Sequence, residues 1–94
     1  MRPFQQFVCH VHHSSYDVYI GRPSAWGNPF KIGEDGNRMV VLEKYRQWLL
    51  SQPEKVALVK KHLRGKMLGC WCYPQPCHGE ILAEIANSEE EATP

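Results

Sequence analysis

The feature that most constrains the fold is the apolar run Met67-Leu68-Gly69-Cys70-Trp71, which has helical patterns on both sides. A run this apolar is typical of a strand that is buried on both faces rather than of an exposed edge. We therefore predict a central strand over residues 66–71. Whatever else the chain forms must pack around this strand.

Three helices are predicted around it. Asn37 is a good cap for a helix that ends near Leu50. Ser51 or Gln52 can cap a second helix with Pro53 in its first turn, and Gly65 ends it. A third helix is predicted over residues 79–87. Apolar residues recur in these segments at helical spacing, so each helix has one core-facing stripe.

Two more strands are predicted before the first helix, over residues 7–13 and 18–21, and they can pair as a hairpin. A strand followed by a helical crossover and another strand implies a parallel pair. The expected fold is a minimal Rossmann-like α/β domain, with a small, partly parallel sheet flanked by helices. The domain is predicted to span residues 1–87, and residues 88–94 are predicted to form a flexible acidic tail.

Composition limits the classes of partner. The chain has 94 residues and a formal net charge of +1, which disfavours a strongly basic nucleic-acid-binding face. The first residues lack the apolar core of a signal peptide, and no run approaches membrane-spanning length. We therefore expect a cytoplasmic protein with reduced thiols and no membrane partner.

The predicted topology brings two loops together. Ile20 and Trp71 end parallel strands, so the loop over residues 22–36 and the loop over residues 72–78 leave the same edge of the sheet. In open α/β sheets this edge is where ligands bind. The sequence therefore predicts a ligand pocket between the two loops.

The first loop carries several groups that suit a ligand. Arg22 can bind a phosphate or carboxylate, and Ser24 and Asn28 offer neutral hydrogen bonds. Trp26 and Phe30 can stack on a base. In the alternative interpretation, the two aromatic rings cap the core and Asn28 holds a turn.

The second loop can be interpreted in two ways. Cys70, Cys72, Cys77 and His78, in the spacing C-x-C-x4-C-H, have the donor atoms of a zinc site. Alternatively, Cys77 and His78 lie at a helix start, where the helix dipole lowers a thiol pKa and favours an anion. In that case Glu80 can point toward the pocket as a general base or a hydroxyl-binding carboxylate, and Cys70 is a buried apolar residue.

Four stretches together resemble a known family. They are Tyr19-Ile20-Gly21-Arg22-Pro23-Ser24-Ala25-Trp26-Gly27-Asn28-Pro29-Phe30, Tyr45-Arg46-Gln47-Trp48-Leu49, Leu63-Arg64-Gly65-Lys66-Met67-Leu68-Gly69-Cys70-Trp71-Cys72 and Cys77-His78-Gly79-Glu80-Ile81-Leu82. In order and content they are similar to the family called domain of unknown function 4326, over roughly residues 16–87. The resemblance implies a Rossmann-like fold of the nucleotide-binding class found in bacterial and phage conflict systems. It maps the shared motifs to Arg22, Trp26, Asn28, Tyr45, Arg46, Cys72, Cys77, His78 and Glu80.

Two functions are therefore expected, from different classes. The first is a domain that binds a nucleotide or nucleoside derivative without a cofactor. Such a domain can also be a small hydrolase or transferase, with His78 or Glu80 as its acid–base group. The alternative is a zinc-stabilised module that binds a protein or nucleic acid and has no chemistry of its own.

Overall fold

A computed structural model describes residues 4–12, 14–22, 24–72 and 75–88. Within these ranges the chain forms a short 3-10 turn (Gln5–Phe7), then β1 (Val8–His10), β2 (Val18–Tyr19), α1 (Arg38–Leu50), α2 (Pro53–Leu63), β3 (Leu68–Cys70) and α3 (His78–Ala86). The strands form one sheet in the order β1-β3-β2, and all pairs are parallel. The predicted α/β class is confirmed.

The central position of β3 follows from its burial. Leu68 and Cys70 are almost completely buried, and β3 pairs with a strand on each side. All three residues of β3 are buried, so both of its faces are covered and its side chains need not alternate with polar ones. The prediction of a central strand is confirmed, although β3 is shorter than the predicted residues 66–71.

The predicted hairpin between the first two strands is wrong. The chain leaves β1 at one end of β3, where the Val11 amide donates to the Cys70 carbonyl at 3.1 Å. It enters β2 at the other end, where the Asp17 amide donates to the Met67 carbonyl at 2.8 Å. The two strands therefore run in the same direction with β3 between them. The first strand is also shorter than predicted, because Val11 and His12 lie in a turn; His13 lies outside the described residues.

The helix boundaries agree with the local signals in the sequence. The Asn37 side chain accepts a hydrogen bond from the Val40 amide at 3.0 Å and caps α1. Pro53 is in the first turn of α2, and Gly65 follows the end of α2 with a positive φ of 74°, which glycine adopts without strain. Cys77 caps α3.

The core lies where α3 packs against the sheet and against both other helices. Its fully buried side chains include Ile20, Tyr45, Leu49, Val59, Leu63, Leu68 and Leu82. Gly79 permits this close packing, because a Cβ at this position would lie 2.8 Å from the end of the Ile20 side chain. The start of α3 therefore packs closely against Val8 at the start of β1 and Ile20 just after β2.

The single-domain prediction for residues 1–87 stays a prediction. Ser88 is held to the fold, because its carbonyl accepts a hydrogen bond from Arg64 Nη2 at 2.6 Å. Residues 89–94 lie outside the described residues, and so does most of the predicted acidic tail. Within the described ranges, no helix is both long and apolar enough to cross a membrane.

Candidate functional site

A cavity of about 700 Å³ lies at the edge of the sheet where the parallel strands end. It is bounded by the residues after β2 and β3, by the loop before α1, and by the starts of α1 and α3. Its lining residues are Gly21, Arg22, Asn28, Phe30, Lys31, Ile32, Arg38, Val41, Leu42, Cys70, Trp71, Cys72, Pro76, Cys77 and His78. We call this space the edge cavity. Both loops that the sequence placed at this edge contribute to its wall.

The charged side chains of the edge cavity are all positive. Arg22, Lys31 and Arg38 line it, and no Asp or Glu is among its described lining residues. The cavity also lies at the start of α3, where backbone N–H groups and the helix dipole favour negative charge. Arg38 is held in place because its Nη1 donates to the Pro76 carbonyl at 3.0 Å. The arrangement suits an anion.

A chain of hydrogen bonds holds the Arg22 backbone beside Trp71. Trp71 Nε1 donates to Tyr19 Oη, and Tyr19 Oη donates to the Arg22 carbonyl, each at 2.9 Å. Gly27 leaves room for the Arg22 side chain, since a Cβ at residue 27 would lie 2.9 Å from Arg22 Cγ. The ends of β2 and β3 are thus joined at the mouth of the cavity.

Two aromatic rings line the same cavity. Trp71 is 55% exposed, and the rings of His10 and His12 contact it edge-on at centroid distances of 5.9 and 4.8 Å. Phe30 is half-buried and packs edge-on against Trp48 at 6.4 Å. An exposed indole fixed by its own N–H bond offers a flat surface to a planar ring.

The remaining candidates in the first loop have different positions. Asn28 lines the edge cavity, and its Oδ1 accepts from the Phe30 amide at 2.8 Å. Ser24 and Trp26 are not among its lining residues. Ser24 Oγ accepts from the Trp26 amide at 3.2 Å, and the Trp26 carbonyl accepts from Tyr45 Oη at 2.8 Å. The contacts of Ser24 and Trp26 are those of residues that shape the loop.

His78 is the buried titratable base of the edge cavity. Its ring is 8% exposed, and Nε2 lies 2.7 Å from the Ile20 carbonyl. A carbonyl only accepts, so Nε2 carries the proton and Nδ1 keeps the lone pair of the neutral ring. Burial lowers the pKa of His78, the bond to the Ile20 carbonyl partly opposes this, and the positive charge of Arg22 lowers the pKa further. His78 is therefore neutral at pH 7, with its lone pair at Nδ1.

Glu80 and Arg46 lie at a neighbouring cavity of about 460 Å³, between α1 and α3. Arg46 Nη2 forms an ion pair with Glu84 Oε1 at 2.8 Å, and this hydrogen bond raises the pKa of Arg46. Cys77 lies between the two cavities and lines both. The structure thus separates His78 from Glu80, which the sequence had grouped as acid–base residues of one pocket.

The expected activation of the Cys77 thiol is wrong. Cys77 is 3% exposed, and its Sγ lies 3.1 Å from Cys70 Sγ. The contact with the Cys70 sulfur and burial both raise the pKa of Cys77, and the Gly79 amide only partly opposes them. Cys72 is half-buried, whereas the other three cysteines are buried. Cys72 is therefore the accessible thiol of the edge cavity.

The proposed zinc ligands do not converge in this arrangement. Among the described residues, no three His, Cys, Asp or Glu side chains are grouped as a metal site. The structure describes all four proposed ligands, which are Cys70, Cys72, Cys77 and His78. His78 Nε2 is already hydrogen-bonded to the Ile20 carbonyl. Their donor atoms suit zinc, but their placement here does not form a ligand set.

Three charged or aromatic residues that line the cavity were not predicted as site residues from the sequence. Lys31 and Arg38 add charge, and Trp71 adds an exposed ring. One signal was available: Arg38 directly follows the helix cap Asn37, at the end of a loop already assigned to the pocket edge. The sequence placed Trp71 as the last residue of the central strand, whereas Trp71 follows β3 and lines the cavity.

Comparison with known proteins gives one family and two relatives. The family model described as "Domain of unknown function (DUF4326)" matches residues 8–88. An "Uncharacterized 12.4 kDa protein in nrdA-td intergenic region" of Enterobacteria phage T4 is 38% identical over 84 residues, covering 85% of this chain and 76% of the phage protein. "Uncharacterized protein R718" of Acanthamoeba polyphaga mimivirus is 33% identical over 87 residues, covering 73% of this chain and 65% of that protein. No solved structure matches.

Proposed function

The chain belongs to the DUF4326 family, and we propose from its geometry that it binds a nucleotide or a phosphorylated nucleoside derivative in the edge cavity. The observation that carries the proposal is the set Arg22, Lys31 and Arg38, three cations lining one cavity without a carboxylate among its described lining residues. The edge cavity lies where the parallel strands end, which is the usual position of ligands in α/β sheets.

The cations account for an anionic group on the ligand. Arg22 and Arg38 reach the cavity from different elements, after β2 and at the start of α1. An arginine fork binds two phosphate oxygens at once, and a lysine adds a point charge. A phosphate or diphosphate between these residues would also face the start of α3, which favours negative charge.

The aromatic wall accounts for a planar group. Trp71 is exposed at the mouth and fixed through Tyr19, and Phe30 lines the same cavity. A base stacked on Trp71 would leave its sugar and phosphate to reach inward to the cations. Asn28 would supply a polar contact from its amide, since its Oδ1 is already bonded to the Phe30 amide.

Chemistry in this cavity would depend on His78. In its neutral form the ring has its lone pair at Nδ1, and Cys72 is the accessible thiol that lines the same cavity. Hydrolysis or transfer at a glycosidic or phosphate ester bond is the reaction class that these groups would serve, with His78 as the acid–base group. Glu80 would act from the neighbouring cavity only if the ligand extended past Cys77.

The test is calorimetric titration of the full chain with AMP, ADP, ADP-ribose, adenosine and inorganic phosphate. We expect the phosphorylated nucleosides to bind and adenosine to bind weakly. Arg22→Ala should lower affinity roughly ten- to hundredfold, as expected when a charge-assisted hydrogen bond is lost. Lys61→Ala, which removes an exposed charge from α2, is the matched control and should bind like the wild type.

Equal affinity in Arg22→Ala and wild type would remove Arg22 from the site. Absence of binding by every phosphorylated ligand would contradict the proposal as a whole. Chromatographic analysis of each ligand after incubation tests for turnover, which His78→Gln should abolish if the wild type shows it. Metal analysis of the purified protein tests the zinc module separately, because stoichiometric zinc with chelator-induced unfolding would favour that function.

A further inference from the structure

Two buried sulfurs meet at the floor of the edge cavity. Cys70 Sγ and Cys77 Sγ are 3.1 Å apart, about 1 Å longer than a disulfide bond of about 2.05 Å. The two residues are 1% and 3% exposed. This contact has no part in the proposed ligand function, and the inference drawn from it does not depend on that function.

Both sulfurs are held where they are. Cys70 is the last residue of β3, the central strand. Cys77 caps α3, and its Sγ accepts from the Gly79 amide at 3.3 Å. The core therefore holds the two sulfurs close together. Closing the remaining distance of about 1 Å between them requires only a small adjustment of the two side chains.

We propose that Cys70 and Cys77 form a reversible disulfide, with a small organic disulfide as the oxidant. One cysteine, as its thiolate, attacks a sulfur of the reagent, breaks its S–S bond and releases one small thiolate, which takes up a proton. The second cysteine, as its thiolate, then attacks the protein-bound sulfur of the mixed disulfide. The Cys70–Cys77 bond forms and the second small thiol leaves. Two protein thiols are oxidised and one reagent disulfide is reduced to two thiols.

The reagent has a route to the pair. Cys70 and Cys77 both line the edge cavity, and the half-buried Cys72 lines it too. Cys9 differs, because it is absent from the lining of the edge cavity and its Sγ donates to the Ser15 carbonyl at 3.6 Å. Cys9 is therefore the matched control.

The experiment incubates the full chain with oxidised and reduced glutathione in varied ratio at about pH 8, where thiolates are more abundant. Remaining thiols are alkylated after denaturation and the product is weighed by mass spectrometry. We expect a species two hydrogens lighter, with two alkylated cysteines instead of four, that reverts with dithiothreitol. Chymotryptic cleavage after Trp71 separates Cys70 from Cys77 unless a disulfide joins the fragments.

Single substitutions assign the bond. Cys9→Ser and Cys72→Ser should still form it, whereas Cys70→Ala and Cys77→Ser should not. Cys77→Ser keeps a good helix cap, so it should remain folded. Four alkylated cysteines in folded wild type under the most oxidising ratio would overturn the proposal, as would loss of the bond in Cys72→Ser. Thiols that react only after a chelator is added would also overturn it, in favour of a metal site.

Discussion

The Tyr45 hydroxyl joins the core to the loop that shapes the edge cavity, and its removal tests that connection. Tyr45 is fully buried, and its Oη donates to the Trp26 carbonyl at 2.8 Å. Burial raises the pKa of Tyr45, so the hydroxyl keeps its proton and acts as a donor at neutral pH. Tyr45→Phe deletes this one donor and keeps the ring.

The expected loss of stability follows from the Trp26 carbonyl, which loses its donor in Tyr45→Phe. Trp26 is half-buried, and its carbonyl would lose its partner inside the protein. Leaving a buried polar group without a partner costs about 1–3 kcal/mol. For a domain of this size, each kcal/mol corresponds to roughly 4–8 °C in Tm. We expect Tyr45→Phe to lower Tm by roughly 5–15 °C, the lower part of the range that these two figures span, because Trp26 keeps some contact with water.

The assay is thermal unfolding followed by circular dichroism, with urea unfolding as a second measure. Tyr16→Phe is the control, because it makes the same chemical change on a residue that is 41% exposed, where water can replace a lost hydrogen bond. Its Tm should stay close to that of the wild type. If Tyr45→Phe were as stable as Tyr16→Phe, the bond to Trp26 would contribute nothing, and the placement of this loop would be wrong.

Three further predictions concern other residues. Trp48→Ala should destabilise the protein toward the lower end of about 3–5 kcal/mol, because the ring is only half-buried between Phe30 and Tyr45; an unchanged urea midpoint would contradict its place on the core-facing side of α1. His78→Gln should flatten the pH dependence of stability, because the lowered pKa of His78 means that the unfolded chain binds the proton more tightly. Wild-type stability should therefore fall by up to about 1.4 kcal/mol per pH unit as pH decreases below about 6.5, and parallel wild-type and mutant curves between pH 7 and 5 would refute this. Brief iodoacetamide treatment should label Cys72 first, since it alone of the four cysteines is not fully buried, and peptide mapping that finds Cys77 first would restore the activated thiol expected from the sequence.

Features that depend on neighbours along the chain were predictable from the sequence. Asn37 and Pro53 begin their helices because their side chains act on backbone groups within one turn, and Cys77 precedes α3 for the same reason. The apolar run around Leu68 predicted a central strand because such a strand has no polar face to expose. From the predicted parallel strands ending at Ile20 and Trp71, it also followed that the loops over residues 22–36 and 72–78 meet at one edge.

Features that depend on residues from distant parts of the chain were decided only by the tertiary structure. β1 and β2 do not pair because β3, almost 50 residues later, takes the place between them. A helix start alone would lower the pKa of the Cys77 thiol, but burial and the sulfur of Cys70 raise it. Glu80 lies only two residues after His78, yet it faces another cavity, because successive positions on a helix point in different directions. Local hydrogen bonds depend on residues that are close in sequence, so the sequence alone predicts them. Burial and electrostatic environment arise only when distant segments pack together.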